Sequence, residues 1–377
     1  MPNSVRPSSW RTLFVHDRWP AYRDWPDLLG PLHEAFECLG PDPLPARTKA
    51  WQPDLARALL QLDLPPWRIS QLLSDHNDWL YRRAIRDALA EMAQQGWGEP
   101  PCGFCVLCLG SGGRHESLLG PDQDNAMIIE DYPDARHMAI DTWFQSLGER
   151  FTARLDDYGI ALCNGNVMAR WPSWRKRSSE WQHQLQLWTG RRVVKLVQLS
   201  NILLDFSPVY GDAALAARLR AEALALMPRA GLFLHEMATL LDETPVALDR
   251  FDRLRGNGKD APHGKALNLK AQGLLVLQGS ARLLALVHGV DAVDTRARLR
   301  ALVDRGVLDA ALARRLEGAL NGLQALLLQA QLAAVAAGRV PDCWVDLDQL
   351  DADDRHRLRQ DMLAIRDCQR LARAAIK

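Results

Sequence analysis

Apolar residues at Ile69, Leu72, Leu73, Leu80, Ile85, Leu89 and Met92 fall largely at helical spacing and predict a helix over Ile69–Met92. Residues 1–100 read mostly as helix, punctuated by prolines at 41, 43, 45, 53, 65 and 66 and closed by Gly96, Gly98, Pro100 and Pro101. At Phe104 the pattern changes. Phe104–Leu109 is a short, wholly apolar run that stops at Gly110, as a buried strand does. A second run, Ala126–Ile129, follows the polar stretch Asp122–Asn125. Helical periodicity returns over Ala139–Leu155, and Ile160–Cys163 and Val193–Phe206 read as further strands. This alternation over Phe104–Tyr210 predicts a small mixed-sheet α/β core. Beyond Gly211 the chain turns to Ala, Leu and Arg. Ala213–Met227, Leu267–His288, Thr295–Arg305, Ala310–Ala337 and Asp353–Ile376 read as amphipathic helices, with Thr295 and Asp353 as N-caps. The loop Gly256–Gly264 separates two of them. The expected architecture is α+β: a helical N-terminal region (1–100), a mixed-sheet core (101–210) and a C-terminal helical bundle (211–377).

Composition narrows the class. The 377 residues hold 46 Lys plus Arg against 46 Asp plus Glu, so the formal net charge is zero. That balance argues against a general nucleic-acid coat or a binder of acidic membranes. No stretch reaches the roughly 18 unbroken apolar residues of a membrane span. The longest candidate, near Leu323–Ala337, is interrupted by Gln324, Gln329 and Gln331. The N-terminus lacks the apolar stretch of a secretory signal. Seven cysteines form an odd set, a poor match to a disulfide framework, so reduced thiols and a cytoplasmic location are expected.

The chemistry concentrates in Leu109–Glu130, LGSGGRHESLLGPDQDNAMIIE. A buried strand runs into Gly110, Ser111, Gly112 and Gly113. Glycines there let backbone N–H groups approach an anion, and Arg114, one turn on, can fork onto phosphate oxygens. The Lys-Ser or Lys-Thr of a Walker A loop does not follow. Asp122 and Asp124 come eleven and thirteen residues after Ser111. On extended backbone, residues i and i+2 point to the same side, so both carboxylates project together and call for a cation. Paired acids beside a phosphate-binding turn fit Mg²⁺-assisted phosphoryl or nucleotidyl transfer. A plain polar turn entering a strand is the bland alternative for Asp-x-Asp alone.

Those residues resemble the nucleotidyltransferase superfamily that includes DNA polymerase beta and the PII uridylyltransferase. Within it, GSGGRHE…DQDNA is similar to a nucleotidyltransferase family often fused to CBS and cyclic-nucleotide-binding modules. The likeness extends to His76–Arg86 (HNDWLYRRAIR), Cys163–Trp174 (CNGNVMARWPSW) and Leu204–Asp212 (LDFSPVYGD). It continues over Gly264–Leu286 and Thr295–Leu299, which resemble the family's substrate-binding helical domain. The resemblance implies transfer of a nucleoside monophosphate from an NTP, ATP or UTP, through two Mg²⁺ ions to a protein or small-molecule acceptor, with a PII-uridylyltransferase-like signalling role. Gly110 and Ser111, with Gly112 and Arg114 beside them, would hold the triphosphate; Asp122 and Asp124 would ligate the metal. Ile160–Cys163, where a third acid is expected, contains none, and Asp205 is the best substitute. Two departures stand out: no CBS or cyclic-nucleotide module precedes residue 69, and Asn268-Leu269-Lys270 stands where Asp-Leu-Lys is expected.

A catalytically silent nucleotide-binding module is the alternative motivated by the absent acid. A HEPN-like ribonuclease is a further one, from Arg282 and His288. Six positions apart on a helix is about 600°, which puts that pair roughly 120° out of phase. Cys102, Cys105 and Cys108 suit core packing better than a metal site, because the odd offset on a strand sends Cys105 and Cys108 to opposite faces. Trp171, Trp174, Trp181 and Trp188, interleaved with arginines, read as a core seam on a helix, with stacking on nucleobases as the alternative.

Overall fold

The computed structural model describes residues 9–15, 18–190, 201–243, 245–256, 261–262 and 265–376. They form an α+β protein in two compact units. One comprises residues up to Ser179 together with Ser207–Ala216; the other comprises Glu180–Phe206 and Ala217 onward.

In the first unit, the prolines that punctuate the N-terminal region start helices. α1 (Gly30–Glu37), α2 (Pro45–Ala50), α3 (Gln52–Gln61) and α4 (Pro66–Gln94) each carry Pro at one of their first two positions. Proline is suited there because its missing N–H has no partner in the first turn anyway. α4 extends the predicted Ile69–Met92 helix at both ends. Its buried face, which carries Trp79, meets an aromatic cluster of Phe14, Trp19, Phe36 and Trp51, with centroid separations such as 4.7 Å for Phe36–Trp51.

A four-stranded sheet follows, in the order β3-β2-β1-β4. β1 (Phe104–Leu109) and β2 (Asn125–Ile129) are buried along their whole length and pair antiparallel, Phe104 opposite Ile129 and Cys108 opposite Asn125. Helix α5 is the single turn Gly110–Gly113, and α6 (His137–Asp157) carries the chain across to β3 (Arg175–Arg177), parallel to β2. β4 (Phe206–Gly211) completes the sheet beside β1. Two strand expectations are corrected. Ile160–Cys163 forms no strand; it docks by single bonds, the Gln123 N–H donating to Ala161 O (2.9 Å). Of Val193–Phe206, residues 193–200 lie outside the described residues, 201–203 are helical, and the strand begins only at Phe206.

Helix α7 (Ser178–Thr189) buries Trp181 and Trp188, but the expected helical seam of four tryptophans does not form: Trp174 is buried in a turn ahead of β3, and Trp171 is exposed. The second unit is helical: α8 (Ala213–Leu226), whose residues up to Ala216 belong to the first unit, α9 (Gly231–Glu243), α10 (Leu275–Val287), α11 (Thr295–Asp304), α12 (Ala310–Ala336) and α13 (Ala352–Ala374). α9 was not anticipated. The expected helix over Leu267–His288 is shorter, because Ala266–Asn268 (β5) pairs with Trp344–Asp346 (β6) and a π-helical turn, Lys270–Leu274, precedes α10. Asn268 Oδ1 accepts the Ala271 N–H at the start of that turn. The N-caps are Asp294 and Asp351 rather than Thr295 and Asp353. A cap oxygen accepts an N–H two or three residues on, and these two accept from Ala297 and Asp354. By length and composition α12 is apolar enough to cross a membrane; within the unit it buries Leu316, Leu320, Leu323, Leu327 and Leu328.

Candidate active site

The site begins where β1 ends. Gly110 sits at φ +57°, a left-handed conformation that glycine adopts without cost, and this turns the chain abruptly into Ser111–Gly113. The turn is held from within. The Glu116 N–H donates to Ser111 O (2.9 Å), the Ser111 and Ser117 hydroxyls stand 3.1 Å apart, and the Ser117 N–H donates to Ser74 Oγ on α4 (3.0 Å). The first N–H groups of a helical turn have no partner within it.

Opposite the turn lies the Asp-x-Asp segment. The Leu109 N–H donates to Asp124 O (2.9 Å), which ties the end of β1 to this segment. Between the two acids, Gln123 is fully buried and its Nε2 donates to Thr152 O and Ile160 O. Anchoring Gln123 inward turns its two neighbours outward: Asp122 is exposed and Asp124 half-buried. Asp122, Asp124, Cys108, Ser111, Gly112 and Tyr81 share one pocket. Gly110, Ser111, Gly112, Asp122 and Asp124 are thus brought together.

Two other predicted residues are not part of that cluster. Arg114 is buried, and its Nε donates to Glu116 Oε2 (3.0 Å), an ion pair within the segment that follows the turn. Asp205 belongs to the second unit and is wholly buried. One of its oxygens accepts from Arg298 Nη2 (2.6 Å) and the other from Arg282 Nη1. Arg282 is therefore an ion-pairing residue, and His288 is the C-cap of α10.

Sequence reasoning missed three features. Cys163 Sγ donates to Asp124 Oδ1 (3.3 Å), and the ligand atoms of Asp122, Asp124 and Cys163 all lie within 4.8 Å of one another. Burial pushes the Cys163 thiol up to about 11. Its place in the segment expected to hold a third acid was the available signal. A second cluster joins α4 to the turn. Arg11 donates to both oxygens of Asp75 (2.6 and 3.2 Å), and His115 Nδ1 lies 3.1 Å from Asp75 and 3.8 Å from Asp78. Burial pushes the Asp78 carboxyl up to about 6, against the pull of His115. Burial also works against charging His115, yet the adjacent Asp78 and Asp75 win and raise it. The third is a buried polar network: Lys49 Nζ donates to Gln52 Oε1 (2.5 Å) and Asn77 Oδ1 (3.2 Å), and Gln52 Nε2 contacts His76 Nδ1 (2.9 Å). Burial lowers Lys49 to about 7 and His76 to about 3. Lys49 and Gln52 lie 24 to 28 residues from His76 and Asn77, and only the latter two belong to a recognisable segment, HNDWLYRRAIR.

The glycine turn and the paired carboxylates both lie in the stretch that a nucleotidyltransferase family model matches. The family model "Putative nucleotidyltransferase DUF294" matches residues 50–193, and "Putative nucleotidyltransferase substrate binding domain" (DUF294_C) matches residues 231–376. The chain belongs to the DUF294 nucleotidyltransferase family. No curated protein matches it.

Proposed function

We propose that the protein transfers a nucleoside monophosphate from ATP or UTP to a protein or small-molecule acceptor, with Mg²⁺ held by Asp122 and Asp124. The observation that carries this reading is the approach of Asp124 to the Gly110 turn, which leaves one place for a metal and the phosphates it would neutralise. Two carboxylates converging within 4.8 Å of a third donor fit a divalent cation. Bound there, the ion would neutralise triphosphate charge and polarise the bond to the departing pyrophosphate. The chain's own residues bind and orient. Gly110, Ser111 and Gly112 present backbone and hydroxyl to the phosphates, and Gln123 fixes the direction of both acids. The acceptor falls to the helical unit that matches the substrate-binding model. A PII-uridylyltransferase-like signalling role in the cytoplasm is the regulatory form of this reading, and the free thiols suit that compartment.

One observation favours a second reading, a nucleotide sensor without turnover. Ile160–Cys163 holds no carboxylate, and both oxygens of Asp205 are taken by arginines. Thermal stability with each NTP, with and without Mg²⁺, tests both. A ligand at a hundredfold excess over its Kd stabilises by about 2.7 kcal/mol. A Mg²⁺-dependent shift selective for one NTP, lost in Asp122→Ala/Asp124→Ala, supports the site, and labelled transfer into a cell extract then separates enzyme from sensor. No shift with any NTP sinks both readings.

A further inference from the structure

The segment carrying Cys163 is stitched to both neighbours of Asp124. The Gln123 N–H donates to Ala161 O (2.9 Å), and Gln123 Nε2 donates to Ile160 O (2.8 Å). On the other side the Asn125 N–H donates to Val167 O (3.0 Å), and Asn125 Oδ1 accepts the Ala169 N–H (2.8 Å). Between these anchors the chain makes a tight turn, with Asn166 at φ +57° and its N–H donating to Cys163 O (3.0 Å). The thiol is consequently held against Asp124 by backbone geometry on both sides. Its sulfur stands 3.3 Å from Asp124 Oδ1. Oxygen and sulfur atoms bound at about 2.0–2.3 Å to a common tetrahedral ion stand roughly 3.5 Å apart, so the same spacing serves as an edge of a coordination shell.

Resting on the two-carboxylate site above but changing its preferred ion, we propose that Cys163 is a third protein ligand beside Asp122 and Asp124, giving a mixed oxygen–sulfur site that prefers borderline divalent ions such as Zn²⁺ and Co²⁺ to Mg²⁺. Three protein ligands with a position left open are the arrangement of a catalytic rather than a structural ion of this type. A soft sulfur donor selects against Mg²⁺, which demands hard oxygen ligands. As the Sγ–metal bond forms, the S–H bond breaks and its proton leaves to solvent, so each ion bound at the site releases one proton from the thiol. The thiol would occupy the role that a third carboxylate fills elsewhere, which accounts for a missing acid in a segment so firmly placed.

Cobalt titration of the full-length protein tests this without any turnover. The wild type should develop a thiolate-to-cobalt charge-transfer band in the near ultraviolet, and the band should vanish in Cys163→Ser and in Asp124→Asn. Calorimetry should show Zn²⁺ affinity falling by on the order of tenfold or more in Cys163→Ser, with Mg²⁺ affinity unchanged. Serine keeps the hydrogen bond to Asp124 and removes the soft donor, so equal Zn²⁺ affinity in Cys163→Ser would overturn the proposal. A charge-transfer band that persists in Cys163→Ser would also overturn it, because the sulfur would be another cysteine's. Cobalt bound without the band, and lost in Asp122→Ala/Asp124→Ala, would overturn thiol ligation while leaving the two-carboxylate metal site standing. No cobalt or Mg²⁺ binding at all would overturn both.

Discussion

A Cβ placed on Gly110 would stand 3.3 Å from Asp124 Oδ2. The end of β1 and the Asp124 carboxylate are thus separated only by the space that glycine leaves empty. A non-glycine residue at φ +57° also costs about 1–2 kcal/mol of backbone strain. Gly110→Ala is expected to lower stability by about that amount and, because the methyl crowds Asp124, to abolish Mg²⁺-dependent stabilisation by NTP. Urea unfolding with and without Mg²⁺-NTP measures both. Intact nucleotide stabilisation would show that the turn does not set the position of Asp124.

Asp205 invites a different expectation. It is wholly buried between Arg282 and Arg298, the latter also almost fully buried. Removing one partner of a buried ion pair leaves uncompensated charge and costs about 3–5 kcal/mol. Asp205→Ala should therefore lose stability on that scale. A variant that unfolds like wild type but no longer transfers nucleotide would instead make Asp205 a catalytic residue.

Lys49 sets a pH dependence. Its folded pKa, lowered by burial to about 7, lies below the ordinary 10.5, so between those values the unfolded chain binds more protons. Stability should rise with pH through that window, by at most about 1.4 kcal/mol per pH unit, and the full burial cost should be felt below it. Comparing urea midpoints at about pH 7 and about pH 9 checks this. Lys49→Met should flatten the rise; an identical slope in the variant would assign it to another group.

Asp78 acts in the opposite sense. Burial raises its carboxyl from 3.8 to about 6, so the folded state binds more protons in that interval and stability falls as pH rises through it. Above about pH 6 the whole cost is present. Asp78→Asn should raise the melting temperature at neutral pH, with the gain shrinking toward about pH 4. A gain independent of pH would mean that something other than ionisation is being relieved.

The glycine turn and the two aspartates were legible in the sequence because they are local. Strand, turn and i, i+2 spacing lie within a few residues, and each has its own physical signature. Most helices of the second unit, α9 apart, were legible for the same reason, by periodicity. What escaped is set by contacts between distant segments. Ile160–Cys163 has the composition of a strand, yet it docks by single hydrogen bonds to Gln123 instead of a ladder. Arg114 follows a phosphate-like turn, but Glu116 claims it. Asp205 looked like a free acid at a strand end, since the arginines that neutralise it lie 77 and 93 residues away. Lys49 gave no sign of burial, because Asn77 and His76 approach it only in the fold.

The edge strand β4 carries one more consequence. The sheet of the first unit is closed by residues that follow the first segment of the second, with the Asp212 N–H donating to Phe104 O (2.9 Å). A nascent chain released only as far as residue 193 would contain every residue of the candidate site except its last strand. β1 would then present an unpaired, wholly apolar edge, the kind of surface that recruits other chains. Such a fragment should aggregate, whereas one extended through Ala216 would carry its own cover. The natural cut for biochemistry therefore lies beyond residue 216, and the first unit cannot finish folding on the ribosome until the chain has left that unit and returned to it.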